Sequence, residues 1–144
     1  MLTNDTTVTL MNGNDRVSTK LPEILEMICT DDELIIESYE SKITTATISS
    51  IRTSDSKDFL YLKTCCDNTL MLTPDHKIYL PETKEWIRAE NMSKGLCVLM
   101  SDGSTSEILS THIIADNTAS RVYSLAITPT QCYFANNILV HNES

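Results

Sequence analysis

The chain has 144 residues, 41% of them hydrophobic, with a formal net charge of −9 and a pI of about 4.6. That length and apolar content suit one domain with its own core. The acidic balance, without any run of Lys or Arg, argues against nucleic-acid binding. No apolar run approaches a membrane span, and no basic segment followed by an apolar one opens the chain, so neither a membrane partner nor a signal peptide is expected.

In chain order, Thr7 to Met11 alternates as a strand and stops at Asn12-Gly13, a hairpin-turn signal. Leu21 to Cys29 reads as a helix: Pro22 stands where a helix start tolerates it, and Leu21, Ile24, Leu25 and Ile28 recur at helical spacing. Glu33 to Tyr39, Ile43 to Arg52, Phe59 to Thr64, Thr69 to Thr73 and Lys77 to Leu80 are short runs rich in Thr, Ile, Leu and Tyr, and read as strands. Ile87 to Met92 is a candidate single helical turn. Leu96 to Met100, Glu107 to Ile114, Arg121 to Ile127 and Ile138 to His141 complete the strands, with Asp102 to Ser106 and Asp116 to Ser120 as exposed loops. Many short strands with one or two short helices make an all-β domain of high contact order.

The five cysteines, Cys29, Cys65, Cys66, Cys97 and Cys132, are odd in number and lie mostly in apolar or strand-like stretches. Free thiols in a reducing, cytoplasmic setting fit better than a disulfide framework. Cys65, Cys66 and His76 lack a C-x-x-C spacing, so neither a metal nor another cofactor is expected. His112 and Trp86 read as a strand residue and a core residue, and Cys132 as a small buried one.

The C-terminal end carries chemistry. The last strand runs into His141-Asn142, followed by Glu143-Ser144. An Asn side-chain nitrogen can attack its own backbone carbonyl to close a five-membered ring, because the attacking atom is already in place. The peptide bond after Asn then breaks, leaving a succinimide. The departing nitrogen must be protonated, and an adjacent histidine, which titrates near neutrality, can move that proton.

The stretch around this dipeptide is specific. Val122-Tyr123-Ser124-Leu125-Ala126-Ile127, then Gln131-Cys132-Tyr133-Phe134-Ala135-Asn136-Asn137, then Ile138-Leu139-Val140-His141-Asn142 closely resembles the C-terminal splicing motifs of inteins, a "V-Y-D-L" strand followed by "H-N-F-x-A-N-G-I-L-V-H-N". Thr73-Pro74-Asp75-His76 is similar to the family's T-x-x-H motif. Leu2-Thr3-Asn4-Asp5-Thr6-Thr7-Val8 is similar to its opening "C-L-T-G-D-T-x-V", which sets Met1 where the family has Cys or Ser. The resemblance spans nearly the whole chain. It implies the horseshoe-like β domain shared by inteins and hedgehog autoprocessing domains, with residues 1–142 a monomeric splicing domain that has no room for an endonuclease and 143–144 a downstream flank.

What the resemblance implies about mechanism follows residue by residue. Residue 1 attacks the carbonyl before it, the residue after the terminal Asn accepts the acyl group, and Asn cyclisation frees the domain. Met1 has a thioether with no proton to lose and cannot form the ester. Glu143, at the acceptor position, is not a competent acceptor, and the hydroxyl of Ser144 lies one residue too far along. Thr73 and His76 would act on the upstream junction, the Thr73 hydroxyl holding an oxyanion and His76 protonating or polarising the amide. Ser124 replaces the usual Asp and is a candidate assisting position, while Gln131 replaces a His and cannot act as acid or base, which leaves His141 with more of the proton movement. The expected partners are the flanking host segments and, if the protein is split near Asp102-Gly103-Ser104 or Asn12-Gly13, a complementary fragment. Two other readings stay open: a relative that only cleaves after Asn142, and an acidic all-β binding module without chemistry.

Overall fold

A computed structural model describes residues 1–30 and 33–142, with Asp116 and Asn117 described by their backbone alone. Its strands form one continuous, curled antiparallel sheet whose backbone is two very long strands. These are β5 (Ile43–Thr64) and β10 (Thr105–Thr128), which pair from Ile108↔Thr64 to Thr128↔Thr47. The register slips between Ile108 and Ser110, between Ala115 and Ser120, and between Ala126 and Ile127. Such bulges bend a ribbon and increase its twist, letting one pair of strands serve both halves of the domain.

The remaining strands are β1 (Leu2–Thr3), β2 (Thr7–Asn12), β3 (Asp15–Lys20), β4 (Ile35–Tyr39), β6 (Thr69–Leu72), β7 (Lys77–Leu80), β8 (Glu85–Arg88), β9 (Cys97–Leu99), β11 (Cys132–Ala135) and β12 (Ile138–His141). Their order across the sheet is β8-β7-β12-β11-β2-β4-β5-β6-β1-β10-β9, with β3 paired to β2. β6 pairs with β1 through Leu72↔Leu2, and β7 pairs with β12 through Ile78↔Val140. The loop joining β6 to β7, residues 73–76, therefore lies between the beginning and the end of the chain.

The local sequence explains most elements. Gly13, with φ of 64°, supplies the left-handed turn residue of the β2–β3 hairpin, closed by Asn12↔Asp15. The helix α1 (Leu21–Met27) carries Pro in its first turn and buries Leu21 and Ile24 against the main core. That core gathers Leu2, Ile36, Leu62, Leu72, Ile78, Leu125 and Val140 from both halves, and a smaller cluster of Leu99, Cys132, Phe134 and Leu139 lies under Tyr39, Tyr79 and Trp86.

Three expectations need correction. Ile87 and Arg88 belong to β8, paired to Ile78 and Lys77, and only Ala89–Asn91 forms a 3-10 turn, because the hairpin ladder outweighs a weak helical spacing. The segment from Asp116 to Ser120 is bulged strand within β10 rather than a free loop. The helix ends at Met27, two residues early. All five cysteines are free. Among the described residues no helix is long and apolar enough to cross a membrane.

Candidate functional site

The 73–76 loop reaches both chain ends. The Met1 backbone nitrogen donates to the Thr73 hydroxyl at 2.5 Å and lies 2.9 Å from His76 Nδ1. The Thr73 N–H donates to the Met1 carbonyl at 2.8 Å, which fixes the first residue along the loop. The Met1 nitrogen is an ammonium. An ammonium has no lone pair, so Nδ1 accepts from it, and the ring proton resides on Nε2. Nε2 donates to the His141 carbonyl at 2.8 Å. One fully buried imidazole thus bridges the first residue and the penultimate residue of residues 1–142.

Thr73 sits differently from the expected oxyanion contact. Its hydroxyl donates to Asp75 Oδ1 at 2.8 Å, so its lone pairs face the Met1 nitrogen. Asp75, not singled out from the sequence, orients that hydroxyl. Asp55, Asp58, Asp75 and Glu90 line the opening in which Met1 lies, giving this end of the site an acidic rim.

At the other end, His141 Nδ1 lies 2.6 Å from the Asn142 carbonyl oxygen. A carbonyl oxygen only accepts, so Nδ1 carries a proton and points at the carbonyl that the Asn142 side chain would attack. The Asn142 N–H donates to the Gln131 carbonyl at 2.9 Å. Its side-chain amide is satisfied when Nδ2 donates to the same Gln131 carbonyl at 2.7 Å and Oδ1 accepts from the Ile127 N–H at 3.1 Å. The opposite orientation offers only Nδ2 to the Ile127 carbonyl at 3.3 Å, and we adopt the better-satisfied one. Gln131 takes a left-handed backbone, φ 63°, and contributes through its carbonyl what its side chain cannot.

The β1–β10 register, Leu2↔Tyr123 and Thr3↔Val122, sets Ser124 opposite Met1 when extended by one residue, and Ser124 is buried. Met1, Thr73, His76, His141 and Asn142 are therefore linked in one chain of contacts, with Ser124 beside it in register. His112 lies exposed on β10 opposite Tyr61. Glu143 lies outside the described residues. Cys132 is buried, is paired with His141 in register, and donates to the Tyr39 carbonyl at 3.2 Å, which accounts for it as a packed residue.

Trp86, expected in the core, is half-buried, and its ring meets the His141 ring edge to face, with centroids 4.9 Å apart and planes at 85°. Behind it stand Tyr79, 5.0 Å away, and Tyr39, a further 6.0 Å on. Burial pushes the Tyr79 phenol above its ordinary pKa, with Tyr39 and Cys132 adding to the shift.

Solved structures share this architecture from end to end. The VidaL intein superposes with a TM-score of 0.81 at 15% identity, covering 99% of this chain and 97% of that one. A DnaB intein from Synechocystis sp. PCC 6803 gives 0.76 at 19%, covering 99% and 98%. A bacterial intein-like domain from Clostridium thermocellum gives 0.77 at 19%, covering 98% and 97%. No family model matches the sequence, and no curated protein matches it. The chain has the intein-type β fold. More particularly it has the intein fold at the size of a mini-intein, such as the Ssp DnaB mini-intein variant M86, with 98% of this chain and 92% of that one aligned at a TM-score of 0.77.

Proposed function

We propose that this chain is a protein-splicing domain in which Thr73 and His76 serve the upstream junction at position 1, and His141 drives cyclisation of Asn142. The observation that carries the reading is the His76 bridge from the Met1 nitrogen to the His141 carbonyl, at 2.9 and 2.8 Å. Splicing must act on two junctions of one chain, and this buried imidazole contacts residue 1 at one of them and the residue preceding Asn142 at the other.

At the upstream junction, a nucleophile at position 1 attacks the preceding carbonyl, and the residue 1 nitrogen leaves as an amine. His76 Nδ1 lies against that nitrogen and, once protonated, supplies the proton the leaving group needs. Thr73, its hydroxyl turned by Asp75, holds the same nitrogen. At the downstream junction, Asn142 Nδ2 bonds to its own carbonyl carbon and the bond to residue 143 breaks. One Nδ2 hydrogen is given up and one proton is gained by the departing nitrogen. His141 Nδ1–H, 2.6 Å from the carbonyl oxygen, stabilises the charge that develops there. The Gln131 carbonyl holds Nδ2 before attack.

Met1 cannot form an ester and Glu143 cannot accept an acyl group, so the sequence as it stands supports release after Asn142 and not ligation. The flanking host segments are the partners, with a complementary fragment if the protein is split. Glu143 favours a second reading, a domain that only cleaves. The test restores Met1→Cys and Glu143→Ser between two small folded domains and follows intact mass, with Asn142→Ala alongside. Joined flanks that vanish in Asn142→Ala are expected. Release of the downstream domain alone means cleavage only, and an unchanged, folded precursor means a binding module.

A further inference from the structure

We propose that Trp86 is a positioning residue for the downstream step, its indole holding the His141 imidazole with Nδ1 on the Asn142 carbonyl. The inference rests on the splicing reading above and deepens it. A histidine χ2 rotates about a broad, roughly two-fold torsion, and a half-buried imidazole at the end of a strand has little else to fix it. Here two contacts do so: Nδ1 on the Asn142 carbonyl at 2.6 Å, and the edge-to-face meeting with Trp86 at 4.9 Å and 85°. Turning the ring by a quarter turn would carry Nδ1 away from the Asn142 carbonyl, so a wall that fixes the ring plane favours the productive geometry, while the Nδ1 contact itself selects between the two half-turn orientations.

The wall is itself braced. Trp86 is paired with Tyr79 across the β7–β8 hairpin, and Tyr79 packs on Tyr39 from β4. Three strands thus back one imidazole. The titratable and charged groups on the elements packed around His141 are Lys77 and Tyr79 on β7, Glu85 and Arg88 on β8, Cys132 on β11, and Glu37 and Tyr39 on β4. His76 also reaches its backbone carbonyl. Imidazole is the side chain whose unperturbed charge change falls between pH 5 and 8. An imidazolium in contact with an indole quenches its fluorescence, and Trp86 is the chain's single Trp. The molecule therefore carries its own reporter of the contact.

The experiment has two arms. Fluorescence of the full chain bearing Asn142→Ala, which cannot cleave, is titrated from pH 8 to 5 with and without His141→Gln. Release of a downstream folded domain is timed over the same range for the parent, Trp86→Phe and Trp86→Leu, each checked by thermal melting. The expected result is quenching on acidification that disappears in His141→Gln, release slowed about 3- to 10-fold in Trp86→Leu, the scale of one aromatic pair, and most of the rate retained in Trp86→Phe. Quenching that persists in His141→Gln, or release unchanged in a folded Trp86→Leu while His141→Gln slows it, overturns the proposal. If the parent releases nothing although quenching depends on His141, the splicing reading has failed and the positioning role falls with it, while the ring contact stands.

Discussion

His76→Ala tests the bridge at both ends. The imidazole is fully buried and makes two polar contacts, Nδ1 with the Met1 nitrogen and Nε2 with the His141 carbonyl. Upstream, its loss removes the group that protonates the departing nitrogen, a role worth about 10²–10⁴ in rate. Downstream, the His141 carbonyl loses one donor, and a net hydrogen bond of about 1 kcal/mol predicts release after Asn142 slowed about fivefold. Truncating the buried ring also costs stability, about 2 kcal/mol, which for a chain of this length lowers the melting temperature by roughly 6 °C. The upstream step is read as thiol-induced release of an upstream domain from the Met1→Cys, Asn142→Ala chain. The downstream step is read as release from the Met1 chain, where no ester can form, so an effect there cannot arrive through the upstream intermediate. Both assays run well below the melting transition. An upstream loss with downstream release unchanged would refute the two-ended bridge, and no loss at either end would refute the assignment of the whole loop.

Other outcomes follow from particular contacts. Asp75→Ala frees the Thr73 hydroxyl to rotate and should slow upstream thiol release about tenfold while leaving release after Asn142 untouched. Arg16→Met strips the bidentate partner from the buried Glu37 carboxylate; because the Arg16 side chain is 54% exposed, the loss is about 1–2 kcal/mol in a melt, with no change in release. Cutting between Asp102 and Gly103, in an exposed turn, should give fragments that reassemble through β5–β10 pairing and regain release, with co-purification as the readout. The Ser106 hydroxyl beside Cys65, and the Glu107 backbone, hold that thiol below its ordinary pKa, whereas burial, then Glu82, push Cys97 up. The thiolate is the reactive form, so alkylation of Cys65 should persist to lower pH than that of Cys97, and Ser106→Ala should shift the Cys65 profile upward.

The proposed chemistry at the ends could be read from the sequence because it rests on side chains close in sequence: His141 adjoins Asn142, and Thr73 and His76 share one turn. Most strands were legible because one face is buried and the residues alternate. The strand Asp15–Lys20 was not, since β3 pairs only with β2 and five of its six residues are exposed, so no apolar period marks it. The joining of Ile43–Arg52 to Phe59–Thr64 was hidden as well: the residues between them are mostly polar and exposed and are held in the ladder by β10 alone. The place of Trp86 beside His141 was invisible because it depends on two registers, Tyr79↔Trp86 and Ile78↔Val140, the second of which joins segments more than sixty positions apart.

The same reasoning explains how one loop reaches both Met1 and His141. Nothing in Thr73-Pro74-Asp75-His76 specifies that β6 will pair with the first strand and β7 with the last, yet those two pairings alone place the loop between the chain ends. The site is therefore a product of topology acting on a short motif. A substitution that shifted either register by one residue would turn its side chains to the opposite face. It would separate His76 from Met1 or from His141 while leaving every candidate residue in the sequence.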